Sequence, residues 1–138
     1  VIKFETKINN KKLKVDVLME GDKLYVAADK DRITQVVTNL VDNAIKYSDI
    51  GGNIKILTKI KGEKVIVSVY NDGPGIKETD LKHIWDRFYK VDKSRTSKMS
   101  TGLGLSIVRS ILIQLGEDIW VENKDSKGIV FTFTLKRV

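Results

Sequence analysis

The sequence contains no cysteine, which excludes disulfide staples, thiolate zinc sites and cysteine nucleophiles and fits a reducing compartment. It has a single histidine, His83, and one imidazole cannot assemble a multi-histidine metal site. Aromatic residues are only 7% of the chain, and they do not alternate into the stacking platform that single-strand nucleic-acid binders use. No apolar run approaches the roughly 20 residues that cross a bilayer, and Val1 to Asn10 lacks the charged-then-apolar layout of a signal peptide. A soluble, cytoplasmic domain without membrane contact is expected.

What remains is an ordinary globular balance, 41% hydrophobic and 31% charged. A chain of 138 residues is the size of one domain, 1–138, and can remove roughly 68% of its unfolded surface from water without a covalent staple. The formal charge of +7 comes from 25 Lys and Arg against 18 Asp and Glu. These cations are scattered from Lys3 to Lys136, and the densest knot is Lys7, Lys11, Lys12 and Lys14. That scatter reads as a solvated lysine-rich surface rather than a nucleic-acid footprint, with room for an anionic ligand or acidic partner.

Apolar residues alternate at Leu13, Val15 and Val17, and a second extended stretch runs from Leu24 to Ala28 after Gly21-Asp22, so a hairpin is expected there. The period changes between Asp29 and Tyr47, where Ile33, Val36, Val37, Leu40, Val41, Ala44 and Ile45 mark a helix with one buried face. Asp29 is its expected N-cap. Strands follow at Asn53 to Ile60 and Glu63 to Tyr70, joined at Lys61-Gly62, and the run Val65-Ile66-Val67-Ser68-Val69 predicts that the second is the more buried. Asn71 to Gly75 is a turn around Pro74. Short helical pieces are expected between Ile76 and Tyr89, and Lys90 to Ser100 reads as a mobile loop. A second amphipathic helix opens at Thr101 and ends at Gly116, and strands at Asp118 to Glu122 and around Phe131, Phe133 and Leu135 close the chain. The fold class is α/β: a two-layer α/β sandwich, a mixed, mostly antiparallel sheet with about three helices on one face.

Three polar constellations stand out. On the first long helix Gln35, Asn39, Asp42, Asn43 and Lys46 share about a third of the circumference. A solvated face is one reading. Asparagine is a poor interior helix former, however, and carboxamide oxygens one turn apart suit a hard cation such as Mg²⁺, with Lys46 one turn further for a phosphate. Gly102 and Gly104 at a helix start suit either close helix–sheet packing or an anion at the free N–H groups of the first turn. Asp72-Gly73-Pro74-Gly75 is a turn, and an aspartate held by it can also accept a hydrogen bond from an exocyclic amine.

In this order and spacing the segments resemble the catalytic and ATP-binding domain of sensor histidine kinases, within the superfamily of gyrase, Hsp90 and mismatch-repair ATPases. Asp31 to Ser48 resembles the family's N box, Asn71 to Ile76 its G1 box, Ile84 to Lys90 its F box and Thr101 to Ile107 its G2 box. The resemblance runs from about Leu13 to the end and implies the Bergerat-type ATP-binding fold. It implies that Asn39 and Asn43 hold Mg²⁺ against the phosphates of ATP, or of ADP after transfer, and that Lys46 and Tyr47 contact the nucleotide. It implies further that Asp72 bonds the adenine amine, with Gly75 and Ile76 shaping the base pocket. Lys90 to Ser100 becomes an ATP lid with Arg95 over the phosphates, and Thr101, Gly102, Leu103, Gly104 and Leu105 supply the phosphate-side backbone.

Relatives that hydrolyse ATP with water usually carry a glutamate where Asn39 stands, and a carboxamide is no base near pH 7. The implied activity is therefore protein-histidine kinase, transferring the γ-phosphoryl group of MgATP in two-component signal transduction. The acceptor histidine would sit on a dimeric helical hairpin outside this chain, the response regulator would be an indirect partner, and the isolated domain would be monomeric. The full-length protein would be anchored to the membrane through other segments. His83 lies just before the segment resembling the F box and is not read as the acceptor; Trp85 and Trp120 are read as core or rim aromatics. Three positions depart from the family pattern: a lid about one residue short at Lys98-Met99-Ser100, Ile129 where Thr or Ser is frequent, and Glu117 where a second glycine is common. The alternatives are a superfamily ATPase or serine kinase, or a non-catalytic nucleotide- or partner-binding module with an altered lid.

Overall fold

The computed structural model describes residues 5–19, 26–86, 104–124 and 127–137. Among these, α1 (Glu5–Lys11) leads into β1 (Lys14–Met19), followed by β2 (Val26–Ala27), α2 (Lys30–Tyr47), β3 (Asn53–Lys61) and β4 (Lys64–Asn71). A single turn α3 (Glu78–Leu81), α4 (Gly104–Gln114), β5 (Ile119–Asn123) and β6 (Ile129–Arg137) complete the order. The sheet runs β1-β3-β4-β6-β2, and β5 shares the outer edge of β6 with β2. β1 and β3 are parallel and every other pair is antiparallel, which is the mixed, mostly antiparallel sheet expected.

Helix α2 begins where its cap chemistry says it should. The Asp29 carboxylate accepts from the amides of Asp31 and Arg32, at 3.0 and 3.3 Å, satisfying donors that have no partner inside the helix. Its buried stripe is Val36, Leu40, Val41, Ala44 and Ile45, which with Val108, Ile111 and Leu112 of α4 covers one face of the sheet. From the sheet the core receives Ile54, Val65, Val67, Val69, Ile129, Phe131, Phe133 and Leu135. Trp85 packs edge-on against Phe131 with ring centroids 5.8 Å apart, whereas Trp120 is partly exposed at the rim. α4 ends at Gly116 in a Schellman motif: the Glu117 amide bonds Leu112 O at 2.8 Å and the Gly116 amide bonds Ile113 O at 3.0 Å.

One expectation is corrected. β1 and β2 do not form a hairpin; they lie at opposite edges, β1 on β3 and β2 on the end of β6. Val15, half-buried against the core, aligns with buried Ile54, whereas Val17, aligned with Ile56, is 53% exposed at this edge of the sheet. A turn signal fixes a change of direction but not the partner of the next strand. The signal Gly21-Asp22, with Leu24, lies outside the described residues. β4 is the more buried of the two central strands, as expected. Val65, Val67, Val69 and Asn71 are buried, but Ile66, Ser68 and Tyr70 on the alternate positions are half-buried, because the helices cover only one face. The extent of Lys90 to Ser100, and of the helix start at Thr101 to Leu103, falls outside the described residues.

Candidate functional site

The motif residues gather where the C-terminal end of α2, the start of α4 and the turn after β4 meet. On α2, Gln35 is exposed, whereas Asn39, Asp42, Asn43 and Lys46 are half-buried, so this polar stripe is not an ordinary solvated face. The Asn39 Nδ2 donates to Gly104 O at 3.4 Å, which ties the N-box-like helix to the G2-like segment across 65 residues and leaves the Asn39 carbonyl oxygen as an acceptor. Lys46 Nζ lies 2.9 Å from Asp42 Oδ2, one turn back on α2. Asn43 sits between these two positions on the stripe.

Gly104 separates the two readings of the glycine pair. A Cβ built there meets nothing within 4 Å, and its φ is not in the left-handed region. Among the described residues, neither packing nor backbone conformation demands glycine at that exposed position. Leu105, the next residue, is half-buried against the core.

The turn after β4 holds the most distinctive group. Asp72 Oδ2 accepts from the Asn53 amide at 2.8 Å, and the Asp72 amide donates to Asn53 O at 3.1 Å, so the carboxylate is fixed at the end of the β3–β4 ladder. Its second oxygen, Oδ1, is buried and has no hydrogen-bond partner among the described residues. An unsatisfied buried acceptor costs about 1–3 kcal/mol, more when charged, and native structures keep few of them. The adjacent Asn71, almost fully buried, spends its Nδ2 on Asp72 O at 2.8 Å and leaves its Oδ1 equally unpartnered.

The chain is shaped around that carboxylate. A Cβ on Gly52 would stand 2.1 Å from Asp72 Oδ1, so only glycine admits the loop after α2 beside it. Gly73 has φ +128, and a Cβ there would meet Tyr47 O at 2.4 Å, so the turn packs directly on the last turn of α2. Half-buried Tyr47 thus lies against the turn that follows Asp72, and half-buried Ile76 stands four residues after Asp72 in that turn. Gly75 and Ile76 are held from β5: Asn123 Oδ1 accepts from the Ile76 amide at 2.8 Å and Asn123 Nδ2 donates to Ile76 O at 2.7 Å. A Cβ on Gly75 would stand 2.7 Å from the same Asn123 oxygen. Tyr70 is close enough for Asp72 to matter electrostatically: burial first, then the Asp72 charge, raises the phenol above its ordinary value. Lys127 is raised in turn, chiefly by its hydrogen bond to Asp49 at 3.0 Å.

Four participants were not legible in the sequence as such. Gly52, Asn123 and the unpartnered Asn71 oxygen depend on contacts made only after folding. The fourth is Lys11, assigned above to a solvated lysine knot. Its Nζ instead donates to Ile45 O, Lys46 O and Ser48 O at 2.8, 2.9 and 2.8 Å, closing the C-terminus of α2, where a partly buried cation contributes up to about 2 kcal/mol. The proposed site residues Arg95, Thr101, Gly102 and Leu103 lie outside the described residues. No cluster of three His, Asp or Glu suited to a metal occurs among the described residues, so any metal here would rely on the neutral oxygens of Asn39 and Asn43. No described helix is long and apolar enough to cross a membrane. A shallow depression of about 390 Å³ lined by Gly62, Glu63, Lys136 and Arg137 lies at the far end of the sheet and includes none of these residues.

Comparison with known proteins places this geometry. Residues 28–138 match the family described as histidine kinase-, DNA gyrase B- and HSP90-like ATPase. The chain is 44% identical over 115 residues to the sensor histidine kinase WalK of Bacillus subtilis, covering 81% of this chain and 19% of WalK. It is 40% identical over 110 residues to the sensor protein SrrB of Staphylococcus aureus, covering 79% of this chain and 19% of SrrB. The chain therefore spans about a fifth of the length of these curated relatives. Among solved structures, the nucleotide-free catalytic domain of histidine kinase ThkA superposes with a TM-score of 0.87 at 37% identity, over 99% of this chain and 86% of that one. ThkA in complex with the response regulator TrrA superposes at 0.82 and 37% identity, over 99% of this chain and 38% of that one. With its fold, its ordered polar segments and this match over most of its length, the chain belongs to the histidine kinase-, DNA gyrase B- and HSP90-like ATPase family.

Proposed function

We propose that the chain binds MgATP and supplies the γ-phosphoryl group for phosphorylation of a histidine on a separate helical hairpin in two-component signalling. The observation that carries the nucleotide reading is the buried Asp72 Oδ1 with no partner, beside which only a glycine, Gly52, fits. An exocyclic adenine amine is a donor that satisfies it, and the carbonyl of guanine is not. Gly75 and Ile76, clamped by Asn123, form the wall of the base pocket, and Tyr47 closes its flank.

The triphosphate would then extend along the α2 stripe toward the start of α4. Lys46 exchanges Asp42 for a phosphate oxygen, and the start of α4 at exposed Gly104 and half-buried Leu105 receives the phosphates; the family resemblance adds Arg95, Thr101, Gly102 and Leu103 to the phosphate contacts. The carboxamide oxygens of Asn39 and Asn43 suit Mg²⁺, which when bound neutralises charge on the phosphates. In the transfer, the bond from the γ-phosphorus to the β–γ bridging oxygen breaks and a bond to an imidazole nitrogen of the acceptor forms, with ADP leaving. The chain contributes positioning and charge stabilisation. Asn39 cannot take a proton from water, which favours this transfer over hydrolysis.

The acceptor hairpin, any response regulator, a cytoplasmic site of action and a monomeric isolated domain belong to the same proposal. It is tested by mixing the purified chain with a cognate hairpin and γ-labelled ATP. Acid-labile, base-stable label on the hairpin is expected, with little free phosphate. Rapid steady-state release of phosphate would favour the ATPase alternative, and tight ATP binding without labelling would favour a non-catalytic module.

A further inference from the structure

We infer that Lys11 is a positioning residue for the nucleotide site, acting through the end of α2 and the loop that supports Asp72. The inference rests on the nucleotide reading above. Lys11 grips the site's support in two ways. Its ammonium donates to Ile45 O, Lys46 O and Ser48 O, the last carbonyls of the helix that carries Asn43, Lys46 and Tyr47. Its own carbonyl accepts from the Gly51 amide at 2.8 Å, and three residues on, the Lys14 amide donates to Gly52 O at 2.9 Å.

Residues 48–52 are thereby held from outside by the α1–β1 corner. They form the surface on which the Asp72 carboxylate rests, since Gly52 approaches Asp72 Oδ1 too closely for any side chain. Tyr47, at the helix end that Lys11 closes, is the contact for Gly73. A lysine suits this place because its three donors radiate from one atom onto three convergent carbonyls, and its charge opposes the negative end of the helix. Loss of the ammonium removes a shared donor from three carbonyls at the helix end, of which Ile45 O keeps only the Ser48 hydroxyl at 3.2 Å, and lets the loop move away from Asp72. The aperture for the base and the direction of Lys46 change together. The α1–β1 corner and the nucleotide site are consequently one mechanical unit, and displacement of α1 alters nucleotide affinity.

The test compares ADP affinity by calorimetry in wild type, Lys11→Met, Lys11→Arg and Leu135→Ala, at a temperature where circular dichroism shows all four folded. Leu135 is buried at the end of the sheet remote from Asp72, so its truncation lowers stability without touching the site. Lys11→Met is expected to weaken ADP binding about tenfold or more and to speed amide exchange at Gly51 and Gly52 without nucleotide, Lys11→Arg to recover most of the affinity, and Leu135→Ala to bind as wild type does. Should Lys11→Met not fold, Lys11→Gln replaces it with the same expectation. Wild-type affinity in the Lys11 variant, or an equal loss in Leu135→Ala, overturns the positioning role while leaving the nucleotide reading intact. Absence of ADP binding by the wild type overturns the nucleotide reading, and the positioning role with it.

Discussion

A carboxylate with one oxygen fixed by the Asn53 amide and the other buried without a partner is a costly arrangement for a protein to keep. Its two oxygens predict different outcomes for two substitutions. Asp72→Ala strips the Asn53 amide of its acceptor as well as the ligand of its contact. It should lower stability by about 1–2 kcal/mol in urea unfolding and also abolish adenine-nucleotide binding. Asp72→Asn keeps an oxygen for Asn53 but turns the free position into a donor. It should bind ADP at least about tenfold more weakly at nearly unchanged stability. Lys12 makes an independent point. It adopts φ 54 at the end of α1, a conformation that costs a non-glycine residue about 1 kcal/mol. Lys12→Gly should therefore raise the stability measured by urea unfolding by about 0.5 kcal/mol after glycine's greater freedom in the unfolded chain is subtracted.

Tyr70 gives the pH dependence at the same scale. Burial and Asp72 raise its folded-state value above the ordinary 10.0, so the unfolded chain releases its proton first. Its contribution is constant below that pH, and stability falls as pH rises through and above it. Lys127, raised above 10.5 by Asp49, acts in the same direction: its ion pair stabilises the fold below 10.5 and is lost as pH climbs past the folded value. Tyr70→Phe should consequently lose less stability than wild type between about pH 9.5 and 11 in parallel urea titrations.

At the scale of elements, legibility followed periodicity. Helix α2 was readable from Asp29 to Tyr47 because its cap is local and its apolar spacing spans several turns. Strand pairing was not, since the partner of β1 is β3, about forty residues on, where half-buried Val15 aligns with buried Ile54. The same limit applies to the site. Asp72 and the asparagines stood out by composition and spacing, whereas Asn123 meets Ile76 across 47 residues with nothing local to announce it. β5 and the turn after β4 are locked by that amide pair, so Asn123→Ala should loosen Gly75 and Ile76. The expected result is a several-fold weaker ADP affinity, roughly 1 kcal/mol, with faster amide exchange at Ile76 and little change in the sheet.

On the whole-molecule scale, one sheet face is covered by α2 and α4, the polar stripe of α2 meets the start of α4 through Asn39 and Gly104, and the last turn of α2 meets the turn that follows Asp72. The surplus of cations looked at first like a diffuse surface property. Lys46 now stands in the polar stripe and Lys11 closes the helix beneath it, while lysines such as Lys55, Lys59 and Lys61 remain exposed. The proposed function depends on a nucleotide binding at Asp72. The most direct measurement is calorimetric titration of the purified chain with ADP and with GDP in Mg²⁺. Saturable binding of ADP with at least about tenfold weaker binding of GDP is predicted. Equal affinity for the two nucleotides, or no binding of ADP, would contradict the account.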